Sequence, residues 1–418
     1  MTTRATSRIT VLRRAALLRG AGGATALLFA PALTRLAGAQ ATEPSQAPPP
    51  PPTGAEALPD SAVALRGELH FLFQEHTYLA GNTTDALLNA RQAELGAAGA
   101  ALNLNASVLG RLFGTLFGPI PEARFQEAWS RHINDYKRYT QGHLEGSEAL
   151  RQAARADLES FAQTTEGLVR ETLPALPAGS LANALMMHVH GTLDVVDAQA
   201  AHDYPRVYTL AREGAAMSAT GLGDPLAEAI AQVFPQRFPP AEDGVEAQSL
   251  LEHRLLFQHH VFLASTRMAA LLEGRGEQAA GVGTALAANS QQLADRVQAH
   301  LGGTTGQQFL ALWRAHLEAF ESYATAAARA DAAARRQPAD ALGRLAQDLD
   351  ALLTSGAGGA AVRGQIAQQL GAHVSYTLEA IDALAGHDVG MAYGLTGGAA
   401  RQVDEIAARV ARALSPTT

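Results

Sequence analysis

Along the chain, apolar positions recur at intervals of three and four rather than two. From about Asp60 onward Ala, Leu, Gln, Glu and Arg dominate, runs of β-branched residues are rare, and Gly and Pro punctuate the segments. That period predicts amphipathic helices and no sheet, an all-α fold. The spacing predicts helices over about 61–93, 95–117, 122–172 and 178–200, the third broken near Gly142 or Gly146. A shorter pair of helices is expected after the His202-Asp203 step, with Asp203 as cap and Pro205 in the first turn.

The same pattern then occurs a second time. LFQEHTYLA (72–80) returns as LFQHHVFLA (256–264), LNLNASVL (102–109) as LAANSQQL (286–293), and FQEAWSRHINDYKRY (125–139) as FLALWRAHLEAFESY (309–323). HVHGTLDVVDAQAAHDY (188–204) returns as HVSYTLEAIDALAGHDV (373–389), one residue further on. Between the copies, FPQRFPPAEDG (234–244) combines helix-stopping prolines with solvated acids. The expected architecture is two tandem homologous antiparallel helical bundles, 60–236 and 245–415, each folding alone and keeping its own ligand.

Each helical stripe carries one polar residue on its apolar face. In the first helix it is His76, in the second Asn105, in the third His132 and in the fourth His188. The second copy repeats the choice with His260, Asn289, His316 and His373. Four His pairs align between the copies, counting His202 with His387, where random placement would give about 0.3. For any one histidine the plain reading is a hydrogen-bonded core residue, with His132 donating to a tyrosine or Asn105 and His76 to a backbone carbonyl. Taken together, three imidazoles and an amide in one bundle interior form a nitrogen-rich set that suits copper, zinc or iron. A cation would also remove the mutual repulsion of protonated rings.

Other polar residues fit simpler roles. Asp197 and Asp382 fall on the opposite helix face and are expected to be caps or ion-pair partners, and the His-Asp steps at 202–203 and 387–388 to be local caps. His70, His143, His190, His253, His259 and His300 have no His counterpart and are expected to be solvated. No nucleophile–base motif, phosphate loop or HExxH is present.

Composition narrows the chemistry further. With no cysteine, disulfides, thiolate metal sites and cysteine catalysis are excluded, so a metal must take His, carboxylate, Met or amide ligands. The formal charge is −8, and Lys137 is the only lysine, which argues against a nucleic-acid partner. Residues 1–39 carry six arginines, a short apolar stretch (ATALLFAPAL) and an A-x-A site at Ala37 and Ala39, the pattern of a cleaved secretory leader, twin-arginine or Sec, rather than of a membrane span. The proline-rich segment 40–59 is expected to be an extended, disordered tether.

These blocks, EHxxLA or HHxxLA, LxxN, WxxHxxxxxxY and the HV segment ending in His-Asp, resemble a group of exported bacterial helical repeat proteins labelled copper amine oxidase-like. The resemblance implies copper at His76, His132 and His188, and again at His260, His316 and His373. It does not extend to genuine copper amine oxidases, whose β-rich domain and Asn-Tyr-Asp/Glu motif are missing here. Hemerythrin- and ferritin-like di-iron bundles are a more distant analogy, since the core stripes here hold too few carboxylates. The sequence is therefore read as an exported protein binding one transition-metal ion per bundle, for handling, buffering or storage in preference to turnover. Two alternatives stay open: a structural or interaction module with hydrogen-bonded core histidines, and a His-ligated metal oxidase or oxygen-binding protein. A protein partner is unknown.

Overall fold

The computed structural model describes residues 58–239 and 245–414. The leader at 1–39 and nearly all of the tether at 40–59 lie outside the described residues, as do 240–244 of the connection between the copies. The described residues form twelve α-helices and one 3-10 turn (Ala357–Val362), with no strand among them. In the first copy these are α1 (Ala62–Leu88), α2 (Gln92–Phe117), α3 (Pro119–Leu144), α4 (Glu148–Thr172), α5 (Ser180–Ala200) and α6 (Tyr204–Val233). The second copy supplies α7 (Val245–Leu272), α8 (Gly276–Leu301), α9 (Thr305–Ala328), α10 (Ala332–Leu353), α11 (Gln365–Ala385) and α12 (Val389–Leu414). None of the described helices is long and apolar enough to cross a membrane.

Local chemistry sets most helix ends. The break between α3 and α4 falls at Gly146, whose φ of 64° suits a residue without Cβ, and the Ser147 side chain then accepts from the Leu150 N–H to start α4. The His-Asp steps are caps, as expected. His202 and His387 adopt left-handed φ of 55° and 61°, and the next N–H closes back onto Ala198 and Ala383 at 3.0 and 2.8 Å, the Schellman arrangement. Asp203 and Asp388 then accept from Arg206 and Met391 in the following first turn.

The expected pair of short helices after His202 is instead one helix, α6, that runs through Pro225. A proline there removes one intrahelical bond, yet the helix continues across it, held by tertiary contacts. Asp224 takes Arg66 Nε at 2.6 Å and His70 Nε2 at 2.5 Å from α1. Gly223 lets the His70 ring approach so closely that an added Cβ would lie 2.8 Å from it. The strongest local breaker in the segment is thereby overridden by packing.

Within each copy the helices pack on their own neighbours: α1 on α2, α3, α5 and α6, and α7 on α8, α9, α11 and α12. The copies meet reciprocally, α6 against α8 and α12 against α2, with α1 facing α7. Because α8 is the counterpart of α2 and α12 that of α6, this is the self-complementary contact of a pseudo-two-fold. Along its axis Tyr78 stacks on Phe262, with ring centroids 5.1 Å apart, and its hydroxyl meets His259 Nδ1 at 2.8 Å. Gly281 permits the close crossing of α8 over the start of α6, where an added Cβ would sit 2.6 Å from the Tyr204 backbone.

One buried apolar cluster runs through both copies, from Leu65 in α1 to Leu414 in α12. Separately produced halves ending and starting at the 240–244 connection would each expose the Tyr78 and Phe262 faces to water. We expect the two halves to associate when mixed, read as a single sedimenting species; two non-interacting monomers would show that this seam contributes no net affinity.

Candidate metal centre

His76, His132 and His188 project from α1, α3 and α5 to one level of the first copy, and His260, His316 and His373 do so from α7, α9 and α11 in the second. All six are at most 3 % exposed. In each trio one ring nitrogen per residue lies within 4.8 Å of the others. The Nε2 atoms of His76 and His132 stand 3.2 Å apart. Ligands bonded to one metal at about 2.1 Å are separated by about 3.3–3.6 Å, so small ring rotations close the set. Centroid distances repeat between copies, 5.2 Å for His76–His132 and 5.3 Å for His260–His316.

Aromatic packing fixes the rings. The Trp129 indole lies against both His76 and His132, with centroids at 5.1 and 4.5 Å, and Trp313 against His260 and His316 at 4.7 and 4.8 Å. Phe161 from α4 stacks on His132 at 4.4 Å. The helix carrying the third histidine is anchored from beneath. Glu166 accepts the Gly179 and Ala182 N–H groups, both at 2.7 Å, at the start of α5. Asp350 does the same for Gly364 and Ala367 at the start of α11. A carboxylate at these helix N-termini is favourable on electrostatic grounds and sets the height of His188 and His373. Sequence reading passed over both residues; the signal was an acid at the same place in each copy, disguised by the Glu/Asp exchange.

The particular bonds expected of core histidines, from His132 to a tyrosine or Asn105 and from His76 to a backbone carbonyl, are not made; His76 and His132 meet each other instead, and His188 meets Ser218. Among the described residues, His76 Nδ1, His132 Nδ1 and His188 Nε2 have no partner, and in the second copy neither do both nitrogens of His260 and His316 or Nδ1 of His373. Each such buried group costs on the order of 1–3 kcal/mol. Asn105 stands close enough to His76 to oppose the fall of its pKa, but its amide nitrogen is engaged elsewhere, donating to the Leu72 carbonyl at 3.0 Å and to Glu75 at 2.8 Å. Asn289 likewise donates to the Leu256 carbonyl at 3.0 Å. These amides clamp the second helix of each copy to the first through their nitrogens, while both amide oxygens stay buried without a partner.

Burial pushes every one of these imidazoles toward the neutral, metal-competent form. His76 and His132 lie well below the usual value, first through desolvation and then through each trio's neighbouring rings. His188 falls to about 4 by desolvation alone. His260 is also held well below, His316 falls to about 3 and His373 to about 4, again led by desolvation. The Trp129 and Trp313 carbonyls oppose this slightly at His132 and His316, although neither reaches hydrogen-bonding geometry.

The remaining candidates fall elsewhere. Asp197 accepts from Tyr139 and His143, both at 2.8 Å, and Asp382 from Tyr323 and Arg335, both at 2.9 Å, so both are the partners anticipated. His190 and His300 are exposed. His70, His253 and His259, expected to be solvated, are buried at 5 %, 1 % and 2 % exposure. Each has its own partner: Asp224 for His70, the Ser249 carbonyl for His253 and Tyr78 for His259. The α1–α7 seam and the helix crossings bury them, and neither is visible in the period of a single helix.

No known protein family matches the chain, and neither does any curated protein or solved structure. The molecule is thus defined by what it contains: an all-α chain of twelve described helices with two buried trios of histidine, each able to hold a metal ion.

Proposed function

We propose that this is an exported metal-binding protein that holds one transition-metal ion, copper, in each histidine trio for handling or storage. The observation that carries the reading is the convergence of three buried, desolvated imidazoles in each copy, one ring nitrogen of each within 4.8 Å of the others, with further ring nitrogens left without a partner. The residues fit such an ion. His188 shows the support a ligand needs, since Nδ1 meets Ser218 Oγ at 3.0 Å and leaves Nε2 for the metal.

Charge favours copper in its monovalent state. The trios contain no carboxylate. Because the solvation penalty scales with the square of the charge, burying a dication among neutral imidazoles costs about four times as much as burying a monocation. Three imidazoles suit monovalent copper without a compensating anion. The resemblance to the copper-labelled group points to the same ion, and the arginine-rich leader supports export.

Elemental analysis of the intact chain after anaerobic reconstitution and gel filtration tests the reading. Two copper ions per chain are expected, one for each trio. A chain that elutes folded and metal-free would end it and return the histidines to a structural role.

A further inference from the structure

The two trios differ in what surrounds them. Beside the second lies a small pocket walled in part by His260 and His373 themselves, together with Ala264, Met268, Ala380 and Leu384. Its few hydroxyls are spent on one another or on backbone: Ser265 meets Thr396 at 2.8 Å, and Thr377 donates to the His373 carbonyl at 2.9 Å. The space is apolar and ends on two ligand rings.

In the first copy a hydrogen-bonded side chain stands at the corresponding place. Gln199, at the position of Leu384, donates to the Gly81 carbonyl at 2.9 Å and accepts from Thr84 at 2.8 Å. Gly81 and Thr84 correspond to Ser265 and Met268, so three substitutions exchange a hydrogen-bonded plug for an apolar chamber. Ser218 orients His188, whereas His373 Nδ1 is without a partner. The pocket also leads somewhere. Ser265, Leu384 and Thr396 line both it and a cleft between the copies, whose wall carries Asp85, Glu94, Arg91 and Arg275. A charged vestibule therefore adjoins an apolar chamber that adjoins the second trio.

We propose that the second trio is an open centre, which admits a small uncharged molecule of diatomic size from the cleft between the copies to a vacant position beside His260 and His373, whereas the first is closed. The inference rests on the metal-binding reading above. An apolar chamber of this kind excludes hydrated ions and admits neutral molecules. Divergence after duplication has left one storage site and one accessible site in a single chain.

Carbon monoxide, a neutral diatomic that reports on monovalent copper by infrared absorption, is the probe. The chain carrying two copper ions should bind one carbon monoxide and show one stretching band. His76→Gln should leave that band in place and His373→Gln should abolish it. The triple change Ser265→Gly, Met268→Thr and Leu384→Gln installs the plug of the first copy; it should keep both copper ions and lose the band. Should that variant misfold, pressurised xenon on the unmodified apo-chain gives a copper-free reading, with Ala264, Ala380 and Leu384 methyl resonances expected to shift. Two carbon monoxide molecules per chain, a band lost with His76→Gln, or no xenon shift at those methyls would overturn the inference. Two copper ions with no carbon monoxide would overturn it while leaving the metal reading intact, and a chain that binds no copper would remove both.

Discussion

Copper is expected to stabilise the wild-type chain by about 5 kcal/mol at a hundredfold excess over its dissociation constant, and the His132→Gln variant by about half of that. Each occupied site contributes RT ln(1 + [L]/Kd), about 2.7 kcal/mol under those conditions, provided the ion binds the folded chain alone. Glutamine fills much of the imidazole volume and keeps a hydrogen-bonding group, so the metal-free variant should lose little stability. As an amide it is a poor copper ligand, and removing one of three ligands leaves two nitrogens on α1 and α5 that cannot hold the ion tightly. Combining His132→Gln with His316→Gln should remove the stabilisation altogether. Thermal melts with and without copper read the effect. Equal shifts in wild type and the double variant would place the bound ion on exposed rings such as His190 and His300, and the buried centres would have to be given up.

Metal-free chain should unfold on mild acidification. Eight buried histidines have folded-state pKa values depressed by desolvation: the six of the trios, plus His253 at about 4 and His259 at about 3. In the unfolded chain each takes up a proton near pH 6.5, which the folded chain refuses until the pH reaches its lower folded value. Their stabilisation is therefore complete above about pH 6.5 and is lost as pH falls below it, at about 1.4 kcal/mol per unit for each ring. One unit lower, eight rings acting together oppose folding by on the order of 10 kcal/mol, comparable to the total stability of most domains. Urea unfolding at pH 7.5, 6.5 and 5.5 should show midpoints that fall steeply over the last step. Equal midpoints at the three values would mean that these rings are not buried neutral.

Both results depend on features legible in the chain to different degrees. The three-and-four spacing of Trp129, His132, Tyr136 and Tyr139 turns the histidine inward whatever its neighbours do, because the period of a helix fixes which side chains share a face. Repetition of that stripe as Trp313, His316, Phe320 and Tyr323 singled out the histidine without any coordinates. The caps at Asp203 and Asp388 were equally readable, since a cap acts within one turn of its own residue.

What the sequence by itself determined, then, is helicity, the recurrence of the same blocks in its two halves, the core-facing side of each helix and the identity of six inward histidines. These follow from interactions between residues close in the chain, or from comparing one half with the other. Only the tertiary structure decided that the rings meet at one level, because height depends on how far each helix slides along its neighbours, a quantity fixed by contacts such as Glu166 with the start of α5 and Asp350 with the start of α11. It also decided that α6 continues through Pro225, where Asp224 is bound from α1, and that His259 is buried against Tyr78 at the seam between copies. The difference between the two centres is of the same kind. Gln199 and Leu384 occupy matching places in the sequence, but whether that place is a plug or a chamber is set by residues far away in the chain, Gly81 and Thr84 in one copy and Ser265 and Met268 in the other.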